Sequence, residues 1–427
     1  MSRTAETAES ASTAAPGRID APTATRLAVL AGAAFVYVTF EVFPVGLITD
    51  IAADLHVTAG QVGLLISGYA VVAAVVTVPT VALAARVSRG TALMVSLGVL
   101  VVAEVLAAAS TGFAMMAVSR VAAALTHGVL WSLIAPAAAA LVPREHVGTA
   151  TAAVFGGASL AAIVGSPGTT LIGGLIGWRA TALVLAAATV AVTYALTWAL
   201  RPRRSGSVRT EEAADAPAPA AEPAPAPVHA PALAEEGRVN WPAVLTLCGV
   251  AVVLVTAHFL SYTYFALIVT EVTGDSGAVV VLLAAFGVAG AAGTFLIGRH
   301  NDRAPQRAAT VTMAAFAAGV GLLALAFVPA PRAVQYAVIA VAVAVWGGAF
   351  AAAGPVFQTA VMRLAAGDAD RASSVYVTGF QIGIAAGSAL GATLLGRSAA
   401  WLPAVSLVLA AVVLAVVFVR RPVPALS

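Results

Sequence analysis

The chain has 427 residues, 61% of them hydrophobic and only 10% charged, against about 25% charged in an ordinary soluble domain. The net charge is +3, but all 22 basic residues are arginine, and the lack of lysine excludes a GxxxxGK[ST] phosphate loop and any Schiff-base lysine. Such a composition makes the bilayer the solvent and predicts an all-α polytopic membrane protein.

Residues 1–25 are rich in Ala, Thr and Ser without the apolar core of a signal peptide, so a disordered cytoplasmic tail is expected there. A hydrocarbon core of about 30 Å needs roughly 20 apolar residues per helix. Twelve segments qualify, at 26–49, 60–83, 91–110, 113–141, 149–174, 179–200, 241–270, 277–298, 307–329, 333–361, 371–396 and 399–419. Residues 201–240, RPRRSGSVRTEEAADAPAPAAEPAPAPVHAPALAEEGRVN, combine Ala-Pro repeats with mixed charge and read as an extended linker. The organisation expected is an N-terminal six-helix bundle over 26–200, a cytoplasmic linker over 201–240, a C-terminal bundle over 241–420 and a short tail over 421–427. Cys248 has no partner for a disulfide and reads as a small buried hydrophobe.

With the N-terminus in the cytoplasm, eighteen arginines fall inside, three (Arg179, Arg332 and Arg397) outside, and Arg120 within a span. Because cytoplasmic loops favour arginine, this bias puts both termini in the cytoplasm, and it makes the arginines topology markers rather than nucleic-acid ligands. The halves also resemble each other. HGVLWSLIAP (127–136) matches GGAFAAAGPV (347–356), and VGSPGTTLIGGLIGW (164–178) matches AGSALGATLLGRSAAW (386–401). Parallel six-helix repeats with a site near the midplane are a recognised transporter plan.

A charge at a helix centre costs about 2.5–3.5 kcal/mol on insertion scales, so each one needs a reason. The charged groups within spans are Glu41, Glu104 and Arg120. At a rise of about 1.5 Å per residue, they lie roughly 9–12 Å below the outer surface, in one slab where opposite charges could pair. Arg120, His127 and Trp131 lie within about 40° on one face of the fourth helix, and His258 and Tyr262 share a face of the seventh. Gln358 and Gln381 add amides to the tenth and eleventh. These residues make a candidate substrate cavity. A structural reading stands beside it, with Glu41 and Arg120 as a clamp and the histidines as satisfied core residues. Gly165, Pro167 and Gly168 should bend the fifth helix. No metal-ligand set or catalytic dyad is visible, so neither an enzyme nor a bound cofactor is expected.

FEVFPVGLITDIAADLHVT, GLLISGYAV, SRVAAALTHGVLWSLIAPAAAALVP, GSPGTTLIGGLIGWR, YTYFALIVTEVTG, GTFLIGRHNDR and FQIGIAAGSALGATLLG carry a resemblance over about residues 26–420. The chain resembles the twelve-helix drug/proton antiporter branch of the major facilitator superfamily, especially bacterial sugar-efflux, arabinose-efflux and chloramphenicol-resistance permeases. The resemblance implies twelve transmembrane helices as two six-helix bundles, with proton coupling through Arg120 and the first-helix acid Glu41. It also implies a conformational gate in the loop after the second helix, where this chain has Arg86 and Arg89 but no acid. The second-half copy keeps Asp302 and Arg303. The family's Gly-Pro pair in the fifth helix appears here as Ser166-Pro167.

The function expected is export of a small molecule, drug or sugar, across the plasma membrane by proton antiport. An uncoupled facilitator is the alternative, and a non-transporting sensor a further one. The expected partners are the bilayer and a small-molecule substrate, with no nucleic acid, and the expected oligomeric state is a monomer.

Overall fold

The computed structural model describes residues 20–142, 147–200, 239–365 and 369–423. Residues 1–19 and most of the expected linker, 201–238, lie outside them. The described residues hold twelve helices long and apolar enough to cross a bilayer. In chain order they are α1 (Ala21–Gly46), α2 (Ala59–Ala84), α3 (Arg89–Ala108), α4 (Phe113–Ala139), α5, α6 (Trp178–Ala199), α7 (Trp241–Tyr262), α8 (Ala278–Arg303), α9 (Pro305–Leu325), α10 (Arg332–Leu364), α11 (Ala369–Leu395) and α12 (Trp401–Arg420). Here α5 is composite, with Val147–Leu160 and Ser166–Ile176 flanking a π-helical stretch, Ala161–Gly165.

Local chemistry sets the ends. Asp20 Oδ1 accepts the Thr23 amide at 3.1 Å, starting α1 at Ala21 rather than at the expected residue 26. Thr58 and Gln61 form a reciprocal capping box that opens α2. The expected seventh span, 241–270, divides into α7 and a short helix, Phe265–Thr273. In α5, Pro167 has no N–H for the Ile163 carbonyl, and the ladder slips so that the Ser166 amide bonds Ala161 O. The bend expected from Pro167 is therefore a π turn.

The helices pair identically in both halves. α2 packs on α4, α3 on α4 and α6, and α1 on α5 and α6; α8 packs on α10, α9 on α10 and α12, and α7 on α11 and α12. The repeat read from the sequence is thus a repeat of packing. It reaches single residues: Gly165 and Gly387 occupy matching places in the aligned segments. A Cβ on Gly165 would lie 2.2 Å from Thr39 Oγ1 on α1, and one on Gly387 would lie 2.5 Å from Thr256 O on α7. Only glycine lets these helix pairs approach so closely.

The halves meet along two seams, α2 with α11 and α5 with α8, which the pseudo-two-fold axis exchanges. Along the first seam, Ser67 Oγ donates to Ala385 O at 3.0 Å. Nearer the face opposite the chain ends, a Cβ on Gly63 would lie 2.0 Å from Tyr264 Oη. Along the second, α8 packs on the π turn and on Ser166–Ile176, and scarcely on Val147–Leu160. No residue of α2 beyond Ala73 is buried. The two bundles are closed at the face opposite the chain ends and part toward the face where the chain begins and ends.

Candidate functional site

The site starts from a backbone defect. Pro44 lies inside α1 and has no N–H, so the Phe40 carbonyl four residues earlier loses its helical donor. No water in a hydrocarbon core can replace that donor. Arg120 on α4 does so: Nη1 donates to Phe40 O at 2.7 Å and Nη2 to Glu41 O at 2.6 Å. The guanidinium carbon lies 5.2 Å from the Phe40 ring centroid and 4.9 Å from that of Tyr69. Two aromatic faces thus receive the charge of a side chain that is only 1% exposed. Arg120 therefore makes no ion pair with the Glu41 carboxylate, contrary to the pairing expected from their common depth.

The Glu41 side chain, 19% exposed, turns to His127, with Oε2 3.7 Å from Nδ1. Tyr69 Oη lies 2.8 Å from the same nitrogen. Across the boundary between the halves, Gln381 Nε2 on α11 lies 3.0 Å from His127 Nε2. Either imidazole tautomer completes this chain, with the Gln381 amide oriented to suit. His127 is thus the junction of a polar path from Glu41 and Tyr69 in the first half to Gln381 in the second. Tyr37, one turn before Glu41, anchors α1 to α4 by donating to Ala123 O at 2.5 Å.

The second half contributes aromatic rings. His258 stacks on Phe350 with centroids 3.4 Å apart and planes 4° apart, and on Tyr262 at 4.9 Å. Trp346 and Phe286 close the same cluster. Tyr262 lies against Ser166 at the end of the π turn of α5, so the cluster abuts the first half. Trp131 stacks on Phe155 at 5.8 Å, and its ring centroid lies 6.4 Å from that of His127. Gln358 is half-buried and is not among the polar groups that join the halves.

Other expectations need correction. Glu104 is fully buried, but it faces α6 inside the first bundle, where Oε1 accepts from Thr189 Oγ1 at 2.9 Å and Oε2 has no partner. Equal depth did not bring it to Arg120, because α3 packs against α4 and α6 at the rim of its bundle. Arg86 and Arg89 are exposed at the turn into α3 and make no ion pair among the described residues. Arg303 is exposed at the end of α8, and the Asp302 side chain lies outside the described set. Gly165 serves a close helix contact, whereas Gly168 faces open space. Arg179, counted outside, pairs with Asp54 of the short helix Ile48–Asp54 and lies over the Trp178 ring at 4.3 Å.

Sequence reasoning missed Tyr37 and Tyr69, whereas Tyr264 reads from the sequence as a packing residue. Each is a hydroxyl in an apolar stretch, and Tyr37 falls one turn before Glu41, a spacing that could have flagged it. Tyr264 Oη donates to Ser388 O at 2.8 Å and so ties the end of α7 to α11.

The comparisons agree with this architecture. The profile of the Major Facilitator Superfamily matches residues 29–369. Chloramphenicol efflux pumps of two strains of Mycobacterium tuberculosis are each 40% identical, over 405 and 402 residues, with 93% of this chain and 92% of the relative covered. In fold, the chain is similar to a bacterial homologue of the human lysosomal transporter Spinster in an inward-facing, unoccupied conformation (TM-score 0.68, 14% identity, 95% of this chain and 98% of that one). It is also similar to the nucleoside transporter NupG (TM-score 0.71, 11% identity, 93% and 99%). The chain is a transporter rather than an enzyme, and it belongs to the major facilitator superfamily.

Proposed function

We propose that the protein exports a neutral drug of the chloramphenicol class from the cytoplasm in exchange for protons, by alternate opening of the central cavity. The observation that carries this reading is the path Glu41–His127–Gln381. A carboxylate, 19% exposed, stands one side chain from a contact between the halves. Loading Glu41 with a proton removes the negative charge facing His127 and lowers the cost of enclosing the site. Releasing it restores that charge, and the binding difference between the two states drives the bundles past each other. Arg120 fixes α1 in the shape that points Glu41 into the cavity.

The substrate class rests on the relatives' names. The orientation proposed has both termini in the cytoplasm of a bacterial plasma membrane, as the arginine bias favours, with a monomer as the transporting unit.

The test is chloramphenicol accumulation in a pump-deficient host, with and without a protonophore, for the wild type and Glu41→Gln. The expected result is export by the wild type that the protonophore abolishes, with Glu41→Gln present in the membrane but unable to drive uphill export. Export that ignores the protonophore would instead mean an uncoupled facilitator, and sugar export without drug export would move the substrate class.

A further inference from the structure

A basic cleft lies on the face that carries the chain ends, away from the central cavity. The turn from α8 into α9 forms one wall and the end of α12 the other, around about 540 Å³. Three of its eight lining residues are arginines: Arg303, Arg307 and Arg421. All three are exposed, and no ion pair or hydrogen bond engages their guanidinium groups among the described residues.

The cleft is held in shape. Gln306 Nε2 donates to Val417 O at 2.8 Å, and its Oε1 accepts the Val423 amide at 3.2 Å. Gln306 therefore grips the chain on both sides of Arg421, which sits in the left-handed region with φ 46°. Few arginines adopt that conformation, and here the residue that does lines the cleft. Beside it, Phe418 is 61% exposed and Val419 74% exposed on the outer side of α12, where lipid is the only apolar medium available. The apolar band of the bundle thus ends at the basic cleft, at the level where phospholipid headgroups lie.

We propose that this cleft binds the headgroup of an anionic phospholipid, with phosphate oxygens held by Arg303, Arg307 and Arg421 and an acyl chain lying along Phe418. Three guanidiniums, unpaired among the described residues and set at an apolar boundary, supply the fork donors and charge that a phosphodiester requires. An unlinked anion would have no use for the exposed Phe418. The site belongs to one bundle and needs neither proton coupling nor any particular substrate.

Purified wild type and the triple variant Arg303→Gln, Arg307→Gln, Arg421→Gln are titrated in neutral detergent with phosphatidylglycerol, cardiolipin or phosphatidylcholine. Bound lipid is counted by native mass spectrometry, and thermal unfolding is followed in parallel. The expected result is preferential retention of anionic lipid by the wild type, with affinity falling about fivefold for each arginine removed. The control variant Arg86→Gln, Arg89→Gln, on the same face of the other bundle, should keep that preference. If the triple variant does not fold, the single variants Arg303→Gln and Arg421→Gln should each show their share of the loss. Equal retention by wild type and variants, or no preference over phosphatidylcholine, overturns the proposal. So does full protection by inorganic phosphate alone, which would make the occupant a free anion.

Discussion

Arg120 completes the hydrogen bond that Pro44 denies to Phe40. The guanidinium of α4 stands 2.7 Å from a carbonyl of α1 for which Pro44, four residues on, has no amide to offer. The relationship predicts a thermodynamic coupling. Arg120→Ala should be strongly destabilising, because it strands a buried acceptor worth about 1–3 kcal/mol. Pro44→Ala restores an amide at that position, so Arg120→Ala should cost about 1–3 kcal/mol less in the Pro44→Ala background. A double-mutant cycle on thermal unfolding measures this directly. Additive effects would mean that the two residues act separately.

The His127–Gln381 bond predicts a shift between conformations. A hydrogen bond is worth about 1 kcal/mol net, so Gln381→Leu should raise the population with parted seams about fivefold. Ser67, buried at the α2–α11 seam, offers the probe as Ser67→Cys, since the only native cysteine, Cys248, is itself buried. Thiol labelling from the closed face should speed up by that factor in Gln381→Leu. An unchanged labelling rate would leave the bond with no part in holding the halves together.

Gly63 gives a steric version of the same experiment. A Cβ there meets Tyr264 Oη at 2.0 Å, closer than real Cβ contacts allow, so Gly63→Ala must displace the ring or part the seam. Gly68, one turn further into α2, has nothing within 4 Å. Gly63→Ala should therefore increase Ser67→Cys labelling and slow transport several-fold, while Gly68→Ala leaves both near wild type. Identical behaviour of the two variants would show that the seam tolerates the added methyl.

The twelve spans were legible because the bilayer demands about 20 apolar residues and leaves few alternatives. The break after Tyr262 was not legible, since no proline or glycine marks it in YTYFALIV. Nor were the partners of Arg120, because backbone carbonyls leave no signature in side-chain identity. Depth put Glu41, Glu104 and Arg120 in one slab, but depth says nothing about azimuth. Only packing decides that Glu41 faces His127 and Glu104 faces α6. Gln381 was legible as an amide in a span. That it meets His127 on α4, 254 positions away, follows from the seam that packs α11 on α2, the neighbour of α4.

The two acids should accordingly separate in function. Glu41 is 19% exposed and adjoins His127, which makes a cross-half contact, whereas Glu104 is sealed within one bundle with Thr189 as its bonded neighbour. Glu104→Gln preserves the acceptor for Thr189 and introduces no net buried charge, so transport and its dependence on the proton gradient should match wild type. Glu104→Ala removes that acceptor and leaves a void, at a cost of about 2–4 kcal/mol that thermal unfolding would register. Glu41→Gln should show the opposite pattern, near-native stability with uphill export lost. Drug accumulation and melting temperature measured on all three variants decide the matter. Loss of proton-driven export in Glu104→Gln would place a coupling proton within the first bundle instead of in the cavity.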